Sequence, residues 1–157
     1  MINIVCFSWI FYNSIEYCLH KLSHYPKTGF LYKIHKKHHT IYYPSNKLMD
    51  IGEYKTGYTC GLPDGLIAHG PPTILMIGSL YFFLEYDFFI KSAVNILLFA
   101  YISDYFHTQI HIKNSWLEKY YFFNRLRFLH FNHHKDTKKN FNILITNYDK
   151  LYSTFKE

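Results

Sequence analysis

Ten of the eleven histidines in this 157-residue chain fall into four short groups, which occur in the same order in each half. Each half has an H-x3-H pair followed by an H-x2-H-H triplet. We call these groups histidine boxes one to four, in chain order. Their members are His20 and His24; His35, His38 and His39; His107 and His111; and His130, His133 and His134.

The spacing within the boxes predicts metal binding. Residues three or four positions apart share one face of a helix, so each box should present its imidazoles to one side. Neutral imidazole is a ligand for zinc, iron and copper, and one octahedral ion takes only about six ligands. Ten imidazoles therefore predict two adjacent metal ions. His69 lies outside the boxes, and nothing in the pattern supports a ligand role for it.

The basic residues lie in two segments that flank an apolar one. Seven lysines lie between Lys21 and Lys55, nine Lys or Arg residues lie between Lys113 and Lys156, and Lys91 lies apart from both segments. The formal net charge is +6. Basic segments beside apolar stretches are typical of the cytoplasmic face of a membrane protein. This placement, without a nucleic-acid-binding motif, argues against a nucleic-acid partner.

The cysteine pattern argues against disulfides and thiolate zinc sites. Cys6, Cys18 and Cys60 are odd in number and contain no C-x2-C pair. Cys6 and Cys18 lie in an apolar segment, so we expect both to be buried.

Three apolar stretches, at about 2–19, 66–84 and 88–106, predict membrane helices. A second helix is expected from Phe30 to Ile41, a loop over 45–65, and an interfacial amphipathic helix over 116–129. The hairpin of 66–106 leaves the basic side and returns to it, which puts all four boxes on one membrane face. The predicted fold is all-α: one domain, 1–157, forming an integral membrane helical bundle with a histidine-rich di-metal cap on the cytosolic side.

Two carboxylates lie one helical turn before a box. Glu16 precedes His20, and Asp104 precedes His107. Each is a candidate to hydrogen-bond a ligand imidazole from outside the metal centre. The alternative is a carboxylate at the membrane interface, on a helix face for Glu16 and in solvent for Asp104.

The boxes and their flanks together resemble the fatty acid hydroxylase/sterol desaturase superfamily, from about Glu16 to Thr154. The segments E-Y-C-L-H-K-L-S-H and L-Y-K-I-H-K-K-H-H, with Pro44 beyond, resemble its first half. The segment S-D-Y-F-H-T-Q-I-H resembles its third box, and L-H-F-N-H-H-K-D-T-K-K-N-F-N its last box and the N-F-G that follows. The chain departs from the family at Asn142, where the family has glycine, and in Y-D-K-L-Y-S-T, where the family has W-D-x-L-F-G-T.

The resemblance implies a multi-pass membrane enzyme of the endoplasmic reticulum or an equivalent membrane. The family's box histidines map onto all ten box histidines here, as ligands of two iron ions that zinc can replace. Members use O2, and electrons from a cytochrome b5 or reductase-type donor, to oxidise a C–H bond of a lipid. The resemblance therefore implies hydroxylation of a fatty-acyl or sphingolipid chain.

Two alternatives remain open from the sequence. One is a desaturase or sterol methyl oxidase with the same metal centre, because loss of a second hydrogen and insertion of oxygen need the same residues. The other is a membrane metal-binding homologue without catalytic activity.

Overall fold

The computed structural model describes residues 3–51, 54 and 64–157, with the backbone alone for 64–69. The described chain is mostly helical, as predicted, and two residues from each of two segments form a short parallel bridge. The helices are α1 (Ile4–Ser23), α2 (Phe30–Lys37), α3 (Asp64–Leu80), α4 (Tyr86–His111), α5 (Tyr121–Lys135) and α6 (Asn147–Leu151); the strands are β1 (Asp50–Ile51) and β2 (Ile112–Lys113).

Helix α1 begins with a capped first turn and is followed by a tight reversal of the chain. The Asn3 side chain accepts a hydrogen bond from the Val5 N–H at 2.9 Å, which caps the first turn. The chain then reverses through a short 3₁₀ turn, Pro26–Thr28, and Gly29, whose φ of +62° suits a residue without Cβ. This reversal brings the second box back against the first.

Box two was predicted to lie on one helix from Phe30 to Ile41. The structure instead ends α2 at Lys37 and continues as a π-helical turn, His38–Tyr42. The Tyr43 N–H donates to the His38 carbonyl at 2.9 Å, five residues back, before Pro44 ends the helical pattern. Single π turns are frequent at functional sites.

Helices α1 and α4 pack along each other and form the centre of the fold. One apolar cluster lies between α1, α3 and α4, and a second joins the end of α4 to α5 and the C-terminal segment. The first contains Tyr12, Ile77, Leu80 and Ile96, and the second contains Ile110, Leu117, Phe123 and Ile143. The first cluster packs the middle of α1 against the middle of α4, and the second fixes the end of α4, where box three lies.

The three predicted apolar segments form helices α1, α3 and α4, but the membrane prediction is supported only in part. Among the described residues, α4 alone is long and apolar enough to cross a membrane. Helix α3 has 17 residues, or about 26 Å at 1.5 Å per residue, which is short for a bilayer core of about 30 Å. Helix α4 also runs past the predicted end at 106 and carries box three on its last turns.

Helix α1 buries polar as well as apolar side chains, while some of its apolar side chains are exposed. Its buried side contains Ser8, Asn13 and Glu16 beside apolar residues such as Ile15, while Val5 and Ile10 are exposed. Cys6 and Cys18 are also exposed, so the expectation that they are buried was wrong. Both cysteines lie at outward-facing positions of the helix, whereas the inward-facing Ser8 and Glu16 pair with α4 and the C-terminal segment.

Candidate metal centre

The four boxes meet at one place, as predicted. Boxes one and three are on the last turns of α1 and α4, box two is on α2 and the π turn, and box four is on the last turns of α5. Because each box ends a helix, the four helix ends converge without a long connecting loop between the ligands. Seven of the ten box histidines are buried, and the other three are partly buried.

The imidazoles divide into two groups. In the first, the nitrogens of His20, His24, His35, His39 and His133 lie within 4.8 Å of one another. In the second, those of His38, His111, His130 and His134 do so. His107 adjoins the second group, since its Nε2 lies 3.1 Å from the Nε2 of His130. We call these groups site 1 and site 2, with five histidines each.

The division crosses the boxes. Residues four apart stay together, so site 1 has His35 with His39, and site 2 has His130 with His134. The central histidine of each triplet goes to the other site: His38 to site 2 and His133 to site 1. The prediction that each triplet shares one face was therefore wrong in detail. Neighbouring helical residues point about 100° apart, which lets one box serve two ions.

Site 1 contains a closed ring of four Nε2 atoms. Their separations are 3.1 Å from His24 to His133, 3.2 Å from His133 to His39, 3.0 Å from His39 to His35, and 2.9 Å from His35 to His24. An octahedral ion with bonds of about 2.1 Å places neighbouring nitrogens about 3.0 Å apart, whereas a tetrahedral ion places them about 3.4 Å apart. The observed separations match the octahedral edge.

In site 2, hydrogen bonding alone does not explain the contacts. The Nε2 of His130 lies 3.1, 3.0 and 3.0 Å from the Nε2 atoms of His107, His111 and His134. A neutral imidazole has a single N–H, which can serve only one of these three neighbours. Nitrogen lone pairs pointing at a common position are the donor set of a transition-metal cation.

Several ligand rings are held from behind by backbone carbonyls. The Nδ1–H groups of His111, His133 and His134 donate to the carbonyls of Leu48, Lys139 and Tyr43 at 2.7, 2.6 and 2.8 Å. His20 makes the same contact with the Phe141 carbonyl. A proton on Nδ1 leaves the Nε2 lone pair free to bind a metal, and the carbonyl fixes the plane of the ring.

These backbone acceptors could not be predicted from box spacing. Tyr43 and Leu48 follow box two, and Lys139 and Phe141 follow box four. A carbonyl has no side-chain signature. The nearest sequence signal is the N-F-N segment after box four, which carries Phe141.

Burial keeps the imidazoles neutral. It lowers the pKa of His24 and His134 from 6.5 to about 4. Burial also holds the pKa of His35, His38 and His130 well below 6.5, and neighbouring imidazoles lower it further. Neutral imidazole is the metal-binding form, so both sites are ready for a cation at neutral pH.

The same pKa shifts predict that the metal-free protein loses stability in mild acid. The unfolded chain takes up protons below about pH 6.5, while the folded sites stay neutral until about pH 4. Stability is therefore full above pH 6.5 and falls as the pH drops towards 4, by of the order of 3 kcal/mol for each such histidine. We expect denaturant unfolding of the metal-free protein to show this decline between pH 6.5 and 5. Substituting Gln for His134 should reduce the slope, and a midpoint constant over that range would contradict the expectation.

The two predicted outer carboxylates occupy different environments. The Glu16 carboxylate accepts hydrogen bonds from the Tyr12 hydroxyl at 3.0 Å, the Asn142 amide at 3.1 Å and the Ile143 N–H at 3.1 Å, and from the Ser103 hydroxyl. These bonds join α1 to α4 and the C-terminal segment, so Glu16 acts on the helix frame. Asp104 lies beside His107 in the wall of the adjoining cavity. The side chain of His69 lies outside the described residues.

A cavity of about 130 Å³ opens onto both sites. Its inner wall has two histidines from site 1, His20 and His35, and two from site 2, His38 and His107. The rest is mostly apolar, although it includes Glu16 and Asp104. It comes from helices α1 to α4 and from the C-terminal segment, with Leu19, Ile34, Ile74, Leu97, Ala100 and Ile143 among its members. The cavity therefore adjoins histidines of both sites.

Comparisons with models of protein families, with curated proteins and with solved structures find no match to this chain.

Proposed function

We propose that this chain is a membrane-bound di-iron oxygenase that hydroxylates a lipid acyl chain and belongs to the fatty acid hydroxylase/sterol desaturase superfamily. The observation that carries the proposal is the apolar cavity walled by histidines of both sites. A metal site that only stabilises a fold has no need of a guest cavity. The superfamily membership rests on the box sequences and their flanks.

Iron is favoured over zinc by the ligand geometry. Each site offers five imidazoles that would hold the ion, and the Nε2 separations of 2.9–3.2 Å in site 1 match the edges of an octahedral ligand set. Structural zinc is almost always four-coordinate and has no redox chemistry. Bound iron would supply O2 activation. The balanced reaction is R–H + O2 + 2 e⁻ + 2 H⁺ → R–OH + H2O, with the electrons supplied by a separate cytochrome b5 or reductase-type protein.

The protein's own contribution is to orient and to exclude water. The cavity's apolar walls would hold an acyl chain beside the wall formed by His20, His35, His38 and His107. The carbonyl contacts behind the rings would keep the ligands fixed as the chain binds. A fixed chain exposes one or two of its carbons to the metal centre, which is how position on an unactivated chain is selected.

Membrane placement is supported by the distribution of polarity. Outward-facing residues of α4 include Val94, Leu98 and Tyr101, while Ser92 and Ser103 are buried. The turn between α3 and α4 exposes Phe82 and Phe83, at 81% and 83% of their surface. A large exposed apolar surface marks a membrane or protein contact. We infer a multi-pass arrangement in the endoplasmic reticulum or an equivalent membrane, with the metal centre on the cytosolic side.

The test is a product measurement on iron-loaded protein. We expect detergent-purified protein, supplied with O2, a reducing donor and phospholipid or ceramide, to give a fatty-acyl product heavier by one oxygen atom. A product lighter by two hydrogens would replace hydroxylation with desaturation at the same centre. Replacing His133 and His134 by Ala removes one ligand from each site and should abolish turnover. Lipid products that are unchanged in this variant would overturn the enzyme proposal.

A further inference from the structure

Backbone carbonyls of the loop after box four accept hydrogen bonds from two ligands of site 1 and from no described ligand of site 2. The Lys139 carbonyl accepts the Nδ1–H of His133 at 2.6 Å, and the Phe141 carbonyl accepts that of His20. The carbonyls that hold His111 and His134 in site 2 belong instead to Leu48 and Tyr43. Whatever fixes the 139–142 loop therefore acts on one site and not on the other.

The Asp149 carboxylate accepts hydrogen bonds from the backbone of this loop and fixes it. Its Oδ1 accepts the Phe141 N–H at 2.8 Å, and its Oδ2 accepts the Asn142 N–H at 2.9 Å. The Thr154 hydroxyl also donates to Oδ1, at 2.8 Å. Asp149 is fully buried, in the five-residue helix α6. A carboxylate that binds two successive N–H groups determines the orientation of the peptide units they belong to.

The contact between Asp149 and the two N–H groups requires a carboxylate. An asparagine side chain has the same shape but cannot replace it. Both oxygens receive a backbone N–H, so both must be acceptors. An asparagine has one oxygen and one NH2 group, and either orientation sets NH2 against a backbone N–H. The buried N–H left without an acceptor is unfavourable, and the loop must shift to relieve it.

We propose that Asp149 is a positioning residue for site 1, acting through the 139–142 backbone on His20 and His133. The proposal rests on the proposed metal centre, and it adds that the loop of residues 139–142 positions ligands in only one of the two sites. Asn140 also helps to fix this loop. Its side chain donates to the Leu129 and Lys156 carbonyls at 3.2 and 2.7 Å, which ties the loop to α5 and to the last residues of the chain. The Asp149 side chain makes no described contact with a box histidine, so its effect on the metal is indirect.

The experiment measures each site alone. Substituting Ala for His130 and His134 leaves site 1, and substituting Ala for His35 and His39 leaves site 2. Cobalt(II) affinity is then measured in each background by competition with a chelating indicator. We expect Asp149→Asn to raise the dissociation constant of site 1 about tenfold, the lower end of the effect seen for groups behind metal ligands, and to leave that of site 2 unchanged.

Asp87→Asn is the control. It makes the same chemical change, but Asp87 is an exposed residue of the first turn of α4 that pairs with Lys91 at 2.6 Å, and its substitution should leave both constants unchanged. Equal weakening of both sites by Asp149→Asn, or of neither, would overturn the proposal. An unsubstituted chain that binds no cobalt would instead overturn the metal centre itself. If Asp149→Asn does not fold, Thr154→Val removes one of the three hydrogen bonds to the Asp149 carboxylate, together with the hydroxyl's contact with Tyr17, and we expect the same selectivity for site 1 with a smaller loss.

Discussion

Removing two histidines four residues apart should cost the protein one metal ion, whereas removing two adjacent histidines should weaken both sites. His35 and His39 belong to site 1, so substituting Ala for both leaves that site with three ligands and leaves site 2 with all five. His38 and His39 belong to different sites, so substituting Ala for both leaves four ligands in each. We expect metals per chain, measured by mass spectrometry after exposure to a chelator, to fall from two to one in the first variant.

The adjacent pair should behave differently in the same measurement. Both sites lose one ligand, so both ions should be released at a lower chelator concentration, with no single ion retained. The two variants match in the number and type of substitutions and share His39, so general damage to the fold affects them alike. Circular dichroism checks that both remain helical. Identical metal loss in the two variants would show that the boxes are not divided as the structure divides them.

The ligand identities could be predicted from the sequence, but their division could not. Spacing shows which imidazoles share a helix face, and that is enough to place His20 with His24 and His107 with His111. It does not show where the axis of one helix points relative to another. The assignment of His38 and His133 depends on how the π turn after α2 and the end of α5 meet the other boxes, which is set by tertiary packing.

The pairing of the segments that follow boxes two and three could not be predicted from the sequence either. The bridge in which Asp50 pairs with Ile112 joins the chain after box two to the chain after box three, over a separation of 62 residues. Two-residue strands carry no period for a sequence pattern to reveal. This bridge nevertheless places Leu48 where its carbonyl accepts the Nδ1–H of His111.

Membrane helices were predicted from apolar content. In α1 this signal is interrupted by polar residues that precede box one. Asn13 and Glu16 interrupt the apolar pattern of α1, yet both are buried in the structure. The Glu16 bonds to Tyr12 and Asn142 explain why polar residues face inward on this helix. A hydropathy count treats such residues as evidence against a membrane helix, although polar groups facing the bundle interior are expected in one.

Leu97→Trp should block the proposed acyl-chain oxidation without affecting the metals. Leu97 lines the cavity on α4, near Ile74 of α3, and the larger indole would occupy the space that a chain needs. We expect turnover of long-chain substrates to fall about tenfold or more, equivalent to about 1.4 kcal/mol or more of lost transition-state binding. Metals per chain should stay at two, because Leu97 is not a ligand and lies nearly three turns before His107 on α4.

Leu98→Trp is the matched control for this prediction. Leu97 and Leu98 are adjacent on α4 and are each 50% exposed, but Leu98 does not line the cavity. The two variants therefore add the same bulk to the same turn, one into the cavity and one towards the outside. Turnover by Leu98→Trp should match the unsubstituted protein. If both variants lose activity equally, the substrate does not use this cavity. If Leu97→Trp loses long substrates but keeps short ones, the residue sets the chain length that fits between α3 and α4.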